Sequence, residues 1–436
     1  MKFHKLYAAL LFISPLVSAT TLDLKLDKTM PAIEKFYLDL HQSPELSYHE
    51  QQTGQKIAKQ LKQLDFKVTD NVGGFGVVGI YKNGDGPTIM IRTDTDGLPI
   101  IEQTGKPYAS KVTVTNEHGA TVGVMHGCGH DIHMSSFIGT AQQLVKHKDA
   151  WQGTLMMVAQ PAEEVGGGAK AMLKEGLFSK FPTPDHVIAL HVSASVPAGK
   201  VSMKNEYTMA SVDSVDITVK GKGGHGAYPH TTIDPVVIAS RIVLALQTIT
   251  SRELSPLEPS VITVGSIHGG SKHNVISDEV KLQLTLRSYN PEVRLQQIAA
   301  IKRISQGIAL SAGLEESLMP EVFVHEDESI PSTYNNPAQT NIVRSAISAA
   351  IGASNVLETE AVMAGEDFGL YGRTDKNIPI TLFWLGGVEQ AQYAAAQKSG
   401  TTLPSLHSSK FAPDYKVALP TGIKAMSNAA VALFNQ

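Results

Sequence analysis

The sequence predicts an α/β protein in which a mostly parallel sheet is interrupted by a smaller, ferredoxin-like α+β unit. Short apolar runs bounded by glycine and turn residues alternate with helical patterns toward both ends of the chain, as in parallel sheets covered by helices. In the middle the style changes: apolar residues recur at every second position, and the elements run β-α-β-β-α-β. A length of 436 residues, with 42% hydrophobic and 18% charged residues, is long for one domain and ordinary for a globular protein, so two domains are expected.

At the start, Lys2 and Lys5 precede the apolar run Leu6 to Ile13, and Val17-Ser18-Ala19 places small residues before a cleavage point. This reads as a secretory signal over residues 1–19, which implies a secreted or periplasmic protein. The run is too short to anchor the chain in a bilayer, and no later stretch is expected to be long enough to do so. Helices are expected from Met30 to Asp39, with Pro44 beyond its end, and from Glu50 to Leu64. Phe75 to Ile80 and Pro87 to Ile91 read as strands, the second leading to Asp94 and Asp96. From Asp131 to about His147 the pattern is helical, with Phe137, Ala141, Leu144 and Val145 on one face. Gly153 to Ala159 is a buried-type strand running into Glu163 and Glu164, and Asp185 to Leu190 is another, ending at His191. In such sheets ligands lie beyond the carboxyl ends of the strands.

Residues 208–327 form the expected insertion. Val215, Ile217 and Val219 alternate with polar residues, Asp234 to Ile249 is helical, and Val261 to Ile267 is apolar. Val280 to Leu286 alternates again, Glu292 to about Ala312 is helical, and Glu321 to Val324 closes the unit. Alternation implies sheet faces that are half solvated. Residues 20–207 and 328–436 make up the main domain, which resumes with a helix from Pro337 to Ile351 and the run Ile378 to Leu385.

The formal net charge is only -4, with no basic block, which excludes an electrostatic case for a nucleic-acid partner and points to a small-molecule substrate. There is one cysteine. An exported protein uses cysteines in pairs, so Cys128 is either buried and inert or held by something other than sulfur. It lies in Met125-His126-Gly127-Cys128-Gly129-His130-Asp131, where flanking glycines let a thiolate and an imidazole two residues apart face one ion. Cys128, His130, Glu164, His191 and His407 together offer five ligands of mixed hardness. One thiolate bridging two ions, with two further residues on each, would leave open positions for chemistry. Because Glu163 and Glu164 are adjacent on an irregular loop they point different ways, so one carboxylate can bind while the other moves a proton.

The stretches Arg92 to Pro99, Met125 to Asp131, Gln160 to Glu164 with Gly166 to Ala169, and Leu190-His191-Val192 resemble the successive motifs of the M20 metallopeptidases, in their amidohydrolase branch. His41 to Ser47, Gly223 to Ala227, Asn274 to Ile276, Glu366-Asp367-Phe368 and Leu406-His407-Ser408 extend the likeness over essentially the whole mature chain. Gly127 stands where alanine is common, Val165 interrupts the glycines, and Ser277 replaces a usual proline; none removes a chemical group. The resemblance implies a dinuclear metallohydrolase with two divalent ions, ligated by Cys128, His130, Glu164, His191 and His407. It makes Glu163 the general acid/base and sets Asp96 behind the ligands. It also implies that the insertion is a lid carrying substrate-binding residues and the homodimer contact, with His225 reaching the partner's site as an oxyanion donor.

The implied substrates are N-acyl amino acids or small peptides. Asn274 and Arg287 are candidates for a substrate carboxylate, although Arg287, in an alternating strand, equally fits a cross-strand ion pair. A Cys/His/Glu set accepts zinc, cobalt, manganese or nickel. His118, His147, His186, His230, His268, His273 and His325 are read as surface or packing residues. Two other classes compete: a hydrolase with Cys128 as nucleophile, and a non-catalytic exported binding protein.

Overall fold

The computed structural model describes residues 21–115 and 119–436; the expected signal sequence and His118 lie outside them. An eight-stranded mixed sheet forms the main body, with parallel pairing through its centre. Its middle strands are Gly153–Gln160, Thr88–Asp94, His186–Pro197 and Ile380–Val388. They are buried on both faces, as their continuous apolar runs require. One face packs on the helices Met30–Gln42, His130–Lys146, Pro337–Ile351 and Tyr415–Phe434, with Ile33, Leu40, Phe137, Leu190 and Ile423 in that core. The other face is closed by Met156, Val187, Phe368, Tyr371 and Leu382.

Between Asp213 and Val324 the chain builds a separate four-stranded sheet, entirely antiparallel, with the helices Pro235–Thr248 and Pro291–Ser311. Strand Asp213–Lys220 alternates strictly between buried and half-buried positions, which turns Val215, Ile217 and Val219 onto a core shared with Ile242, Leu282 and Ile301. Asp234 and Asn290 cap the two helices by accepting hydrogen bonds from Val236 and Glu292, with proline next in line each time.

Two readings are corrected. The strand expected to end at His191 runs on to Pro197, because pairing with Ile380–Val388 continues past the histidine. The helix Tyr415–Phe434 is long and apolar enough to cross a membrane by length and composition, against the expectation that no later stretch would be. Yet 83% of its apolar window is buried, against the helices His130–Lys146 and Pro337–Ile351. It is the central core helix.

Candidate metal centre

Strand register brings the candidate ligands together. Asp94 pairs with Gln160 at the ends of two parallel neighbours, so Asp96 and the Glu163-Glu164 pair leave the sheet side by side. Arg92 pairs with Ala189, which sets His191 level with Asp94. The helix His130–Lys146 begins immediately above, after Gly129 turns the chain at φ 79°. A side chain there would meet Val192 at 2.4 Å, so the close approach of the cysteine loop to the His191 strand requires glycine. His407 arrives from a distant loop, its N–H donating to the Gly127 carbonyl at 2.9 Å. Both His407 (φ 63°) and Ala162 (φ 51°), the residue before Glu163, occupy the left-handed region, a strain that clusters at functional sites.

Cys128 Sγ lies 3.4 Å from His191 Nε2 and 3.3 Å from His407 Nε2. His407 Nε2 is 3.3 Å from Glu164 Oε2, and His130 Nε2 is 3.8 Å from Glu164 and from Glu163. Carbonyl oxygens only accept hydrogen bonds, so the ring tautomers follow. His191 Nδ1–H donates to the Val192 carbonyl and His130 Nδ1–H to that of Asp96, both at 2.8 Å. Each Nε2 lone pair is thereby turned into the cleft.

The donors fit a metal pair. Two triads, Cys128-His130-His191 and Cys128-Glu164-His407, each close enough to share an ion, have Cys128 in common. Tetrahedral bonds of about 2.0–2.3 Å place ligand atoms about 3.5 Å apart, close to the sulfur–nitrogen separations here. His130 Nε2 and Glu164 Oε1 are buried without a hydrogen-bond partner, a costly state for groups that a cation would satisfy. Burial, followed by neighbouring carboxylates, pushes the Cys128 thiol well above its usual range. Burial likewise takes Glu164, which Asp96 and Asp94 raise further, up to about 7 despite the opposing pull of His130. A bound cation reverses both shifts and deprotonates its ligands.

Glu163 lies outside both triads, although its carboxylate also groups with His130 and Glu164 and with Glu366 and Asp367. Burial, then the carboxylates of Glu366 and Glu164, raise its pKa well above the ordinary carboxylate range. Asp96 sits behind the ligands. Its Oδ2 accepts from Ser47 Oγ at 2.6 Å and from the Glu164 N–H at 3.0 Å.

A cleft of about 850 Å³ opens over these groups, lined by Cys128, Glu163, Glu164, His191 and His407, with Arg287 from the second sheet. Arg287 pairs across its strand with Val261; Asp213 on the other neighbouring strand, opposite Leu286, acts on it through its charge, but among the described residues no carboxylate lies within ion-pair distance of it. His225 and Asn274 are not brought to the cleft. They sit on an exposed ribbon, Gly224–His225 against Val275–Ile276, where the Gly226 N–H donates to the Asn274 carbonyl at 2.9 Å.

Sequence reasoning missed a supporting layer. Asp94 accepts from His133 Nδ1 at 2.6 Å while His133 Nε2 accepts from the Val192 N–H at 2.7 Å, so both ring nitrogens of His133 are engaged in holding the His191 strand. Arg92, fully buried, bonds Asp94, Glu366, Asp367 and Gln160. The placement of His133 one helical turn after His130 was the available signal.

A mostly parallel sheet with a thiol, histidines and paired carboxylates beyond its strand ends is the arrangement of a metal-dependent hydrolase. A profile of the peptidase family M20/M25/M40 matches residues 90–407. The chain is 38% identical over 403 residues to thermostable carboxypeptidase 1 of Saccharolobus solfataricus, covering 91% of this chain and 94% of that one. It is 35% identical to an N-acetylcysteine deacetylase of Bacillus subtilis, covering 82% and 89%. Among solved structures, a putative aminohydrolase from methicillin-resistant Staphylococcus aureus matches with TM-score 0.81 and 32% identity over 93% of this chain and 97% of that one. A dinuclear metal-binding M20 peptidase of Bacillus subtilis matches with TM-score 0.74 and 30% identity over 93% and 98%. The chain belongs to the M20 peptidase family, with amidohydrolases among its relatives, and is a metal-dependent hydrolase acting on amide bonds.

Proposed function

We propose that this chain is an exported, homodimeric amidohydrolase that removes the acyl group from N-acyl amino acids or cleaves short peptides. The observation that carries the reading is the pair of ligand triads sharing Cys128, with Glu163 beside them and outside both. Cys128, His130, Glu164, His191 and His407 would hold two divalent ions, drawn from zinc, manganese, cobalt or nickel. When bound, such ions acidify a water toward pKa ~7 and polarise a carbonyl. Glu163 takes the proton from the attacking water at a carboxylate oxygen and returns it to the leaving nitrogen, because an amine leaves poorly unprotonated. Asp96 keeps the Glu164 backbone and the His130 ring in place. Arg287, half-buried in the cleft and free of ion pairs among the described residues, offers its fork to the substrate carboxylate. His225 and Asn274, exposed on their ribbon, would act on the cleft of a partner subunit.

The test is Glu163→Gln, which keeps shape and removes the base. Turnover of N-acetyl amino acids by metal-loaded enzyme should fall by about 10²–10⁴, while elemental analysis still finds two ions per chain. Near-normal turnover would assign the proton to another group. Loss of wild-type activity on chelation and its return with metal separate this reading from a Cys128 nucleophile, which should survive chelation.

A further inference from the structure

A second cavity of about 640 Å³ adjoins the metal cleft and shares Ala364, Trp384 and Leu406 with it. Its walls grow out of the ligand segments. Ser193, Ala194 and Ser195 follow His191 on the same strand, and Ser405 and Leu406 immediately precede His407. At the junction the Trp384 ring packs on His191 with centroids 5.1 Å apart. The outer wall is the helix Gln390–Ser399, which buries none of its own residues. Tyr393, Ala396 and Gln397 line the cavity at the i, i+3, i+4 spacing of a single helical face, followed by Gly400 at the helix end. The composition of the walls contrasts with that of the cleft. Among the described residues, no Asp, Glu, Lys, Arg or His lines the annex, whereas Glu163, Glu164, Arg287 and Glu328 line the cleft.

From this geometry, and resting on the function proposed above, we infer that the annex is the acyl-group subsite, built for large uncharged acyl chains, and that the helix Gln390–Ser399 sets their length. The mouth flanks His191 and His407, and the acyl substituent is bonded directly to the carbonyl carbon that reacts there. The amino-acid side chain stands three bonds from that carbon. A volume within the range of whole small-molecule sites is far more than an acetyl methyl fills. A charge on the far end of the acyl chain would enter without a counterion, a penalty that apolar contacts do not offset.

The measurement is kcat/KM of metal-loaded enzyme on N-acetyl-, N-hexanoyl- and N-adipoyl-L-alanine, and on N-acetyl-L-phenylalanine. It is repeated with Ala396→Trp, which fills the annex from its half-exposed outer wall. Hexanoyl should exceed both acetyl and adipoyl by about tenfold or more, the discrimination that apolar groups in a pocket carry. Ala396→Trp should erase that advantage and leave both acetyl substrates unchanged. A variant that changes the phenylalanine-to-alanine preference instead would assign the annex to the amino-acid side chain, and one that changes no ratio would refute a subsite there; either outcome overturns the inference. If Ala396→Trp does not fold, Thr402→Phe on the loop wall replaces it. Should the wild-type enzyme hydrolyse none of these compounds, the N-acyl amino acid part of the proposed function fails, and calorimetry with neutral hexanamide tests the annex separately. Binding that Ala396→Trp abolishes supports the annex; the absence of wild-type binding overturns it.

Discussion

His41 is a buried cation whose removal should destabilise the protein in a pH-dependent way. The ring is 3% exposed, with Nδ1 2.6 Å from Asp131 and Nε2 3.2 Å from Glu102. It is caged by Tyr37 and Tyr108. Burial alone would lower its pKa, but the hydrogen bonds to Asp131 and Glu102 outweigh it and raise it from 6.5 to about 9. That rise corresponds to about 3 kcal/mol of preference for the charged ring in the folded state. Because the folded-state pKa is the higher one, this stability is present in full below pH 6.5 and is lost as pH rises through about 9. His41→Gln keeps a donor and removes the charge, leaving two buried carboxylates without their cation. For 436 residues at about 2.1 cal/mol/K of unfolding entropy each, about 3 kcal/mol moves the thermal midpoint by about 3–4 °C. Calorimetry of chelator-treated wild type and variant, so that both share one metal state, should show that gap at pH 6 and most of it gone at pH 10. A gap that is equal at the two pH values, or wider at pH 10, would refute the charged clamp.

Cys128→Ser should weaken both ions, so elemental analysis should find well under two per chain after dialysis; one tightly held ion, unchanged from wild type, would remove the thiolate bridge. Arg287→Ala should cut kcat/KM for an N-acyl amino acid by about ten- to hundredfold, the scale of a charged hydrogen bond, and spare the matching carboxamide; equal losses on both would show that Arg287 does not read the carboxylate. Mixing Glu163→Gln chains with His225→Ala chains should restore activity after subunit exchange, since only a histidine acting across the interface rebuilds a site in the chain that keeps Glu163. No recovery despite confirmed exchange would place His225 outside the partner's site.

The cluster of candidate ligands was legible because their chemistry coincides with punctuation in the sequence. Apolar runs end at Asp94, Gln160 and near His191, and parallel register aligns those ends in space. The single cysteine lies between glycines, one of which the structure shows to be required at φ 79°. The alternating strands were legible for a similar reason, since a half-solvated sheet writes its period into the residues. What stayed hidden has no such period. The edge strand Lys67–Val72 is mostly exposed and bulged, so no buried face marks it. Arg92 looks like a solvated cation in sequence, but it is buried because Asp94, Glu366 and Asp367 converge on it from segments up to 275 residues away.

The helix Gln390–Ser399 is the clearest case of information that only the fold supplies. Its composition is that of a solvent-facing segment, with alanine and glutamine around one tyrosine, and no residue of it is buried. Sequence reasoning has no core face to find there. Once the strand after His191 and the loop before His407 are in place, the same helix becomes the far wall of a cavity. Its small residues then act through the space they leave open. A ligand atom is dictated by the ion it must meet, whereas a wall residue is dictated by the size of whatever lies opposite. The candidate ligands could therefore be picked out of one sequence, whereas wall residues such as Ala396, which the annex proposal assigns to acyl-chain length, show their position only in three dimensions.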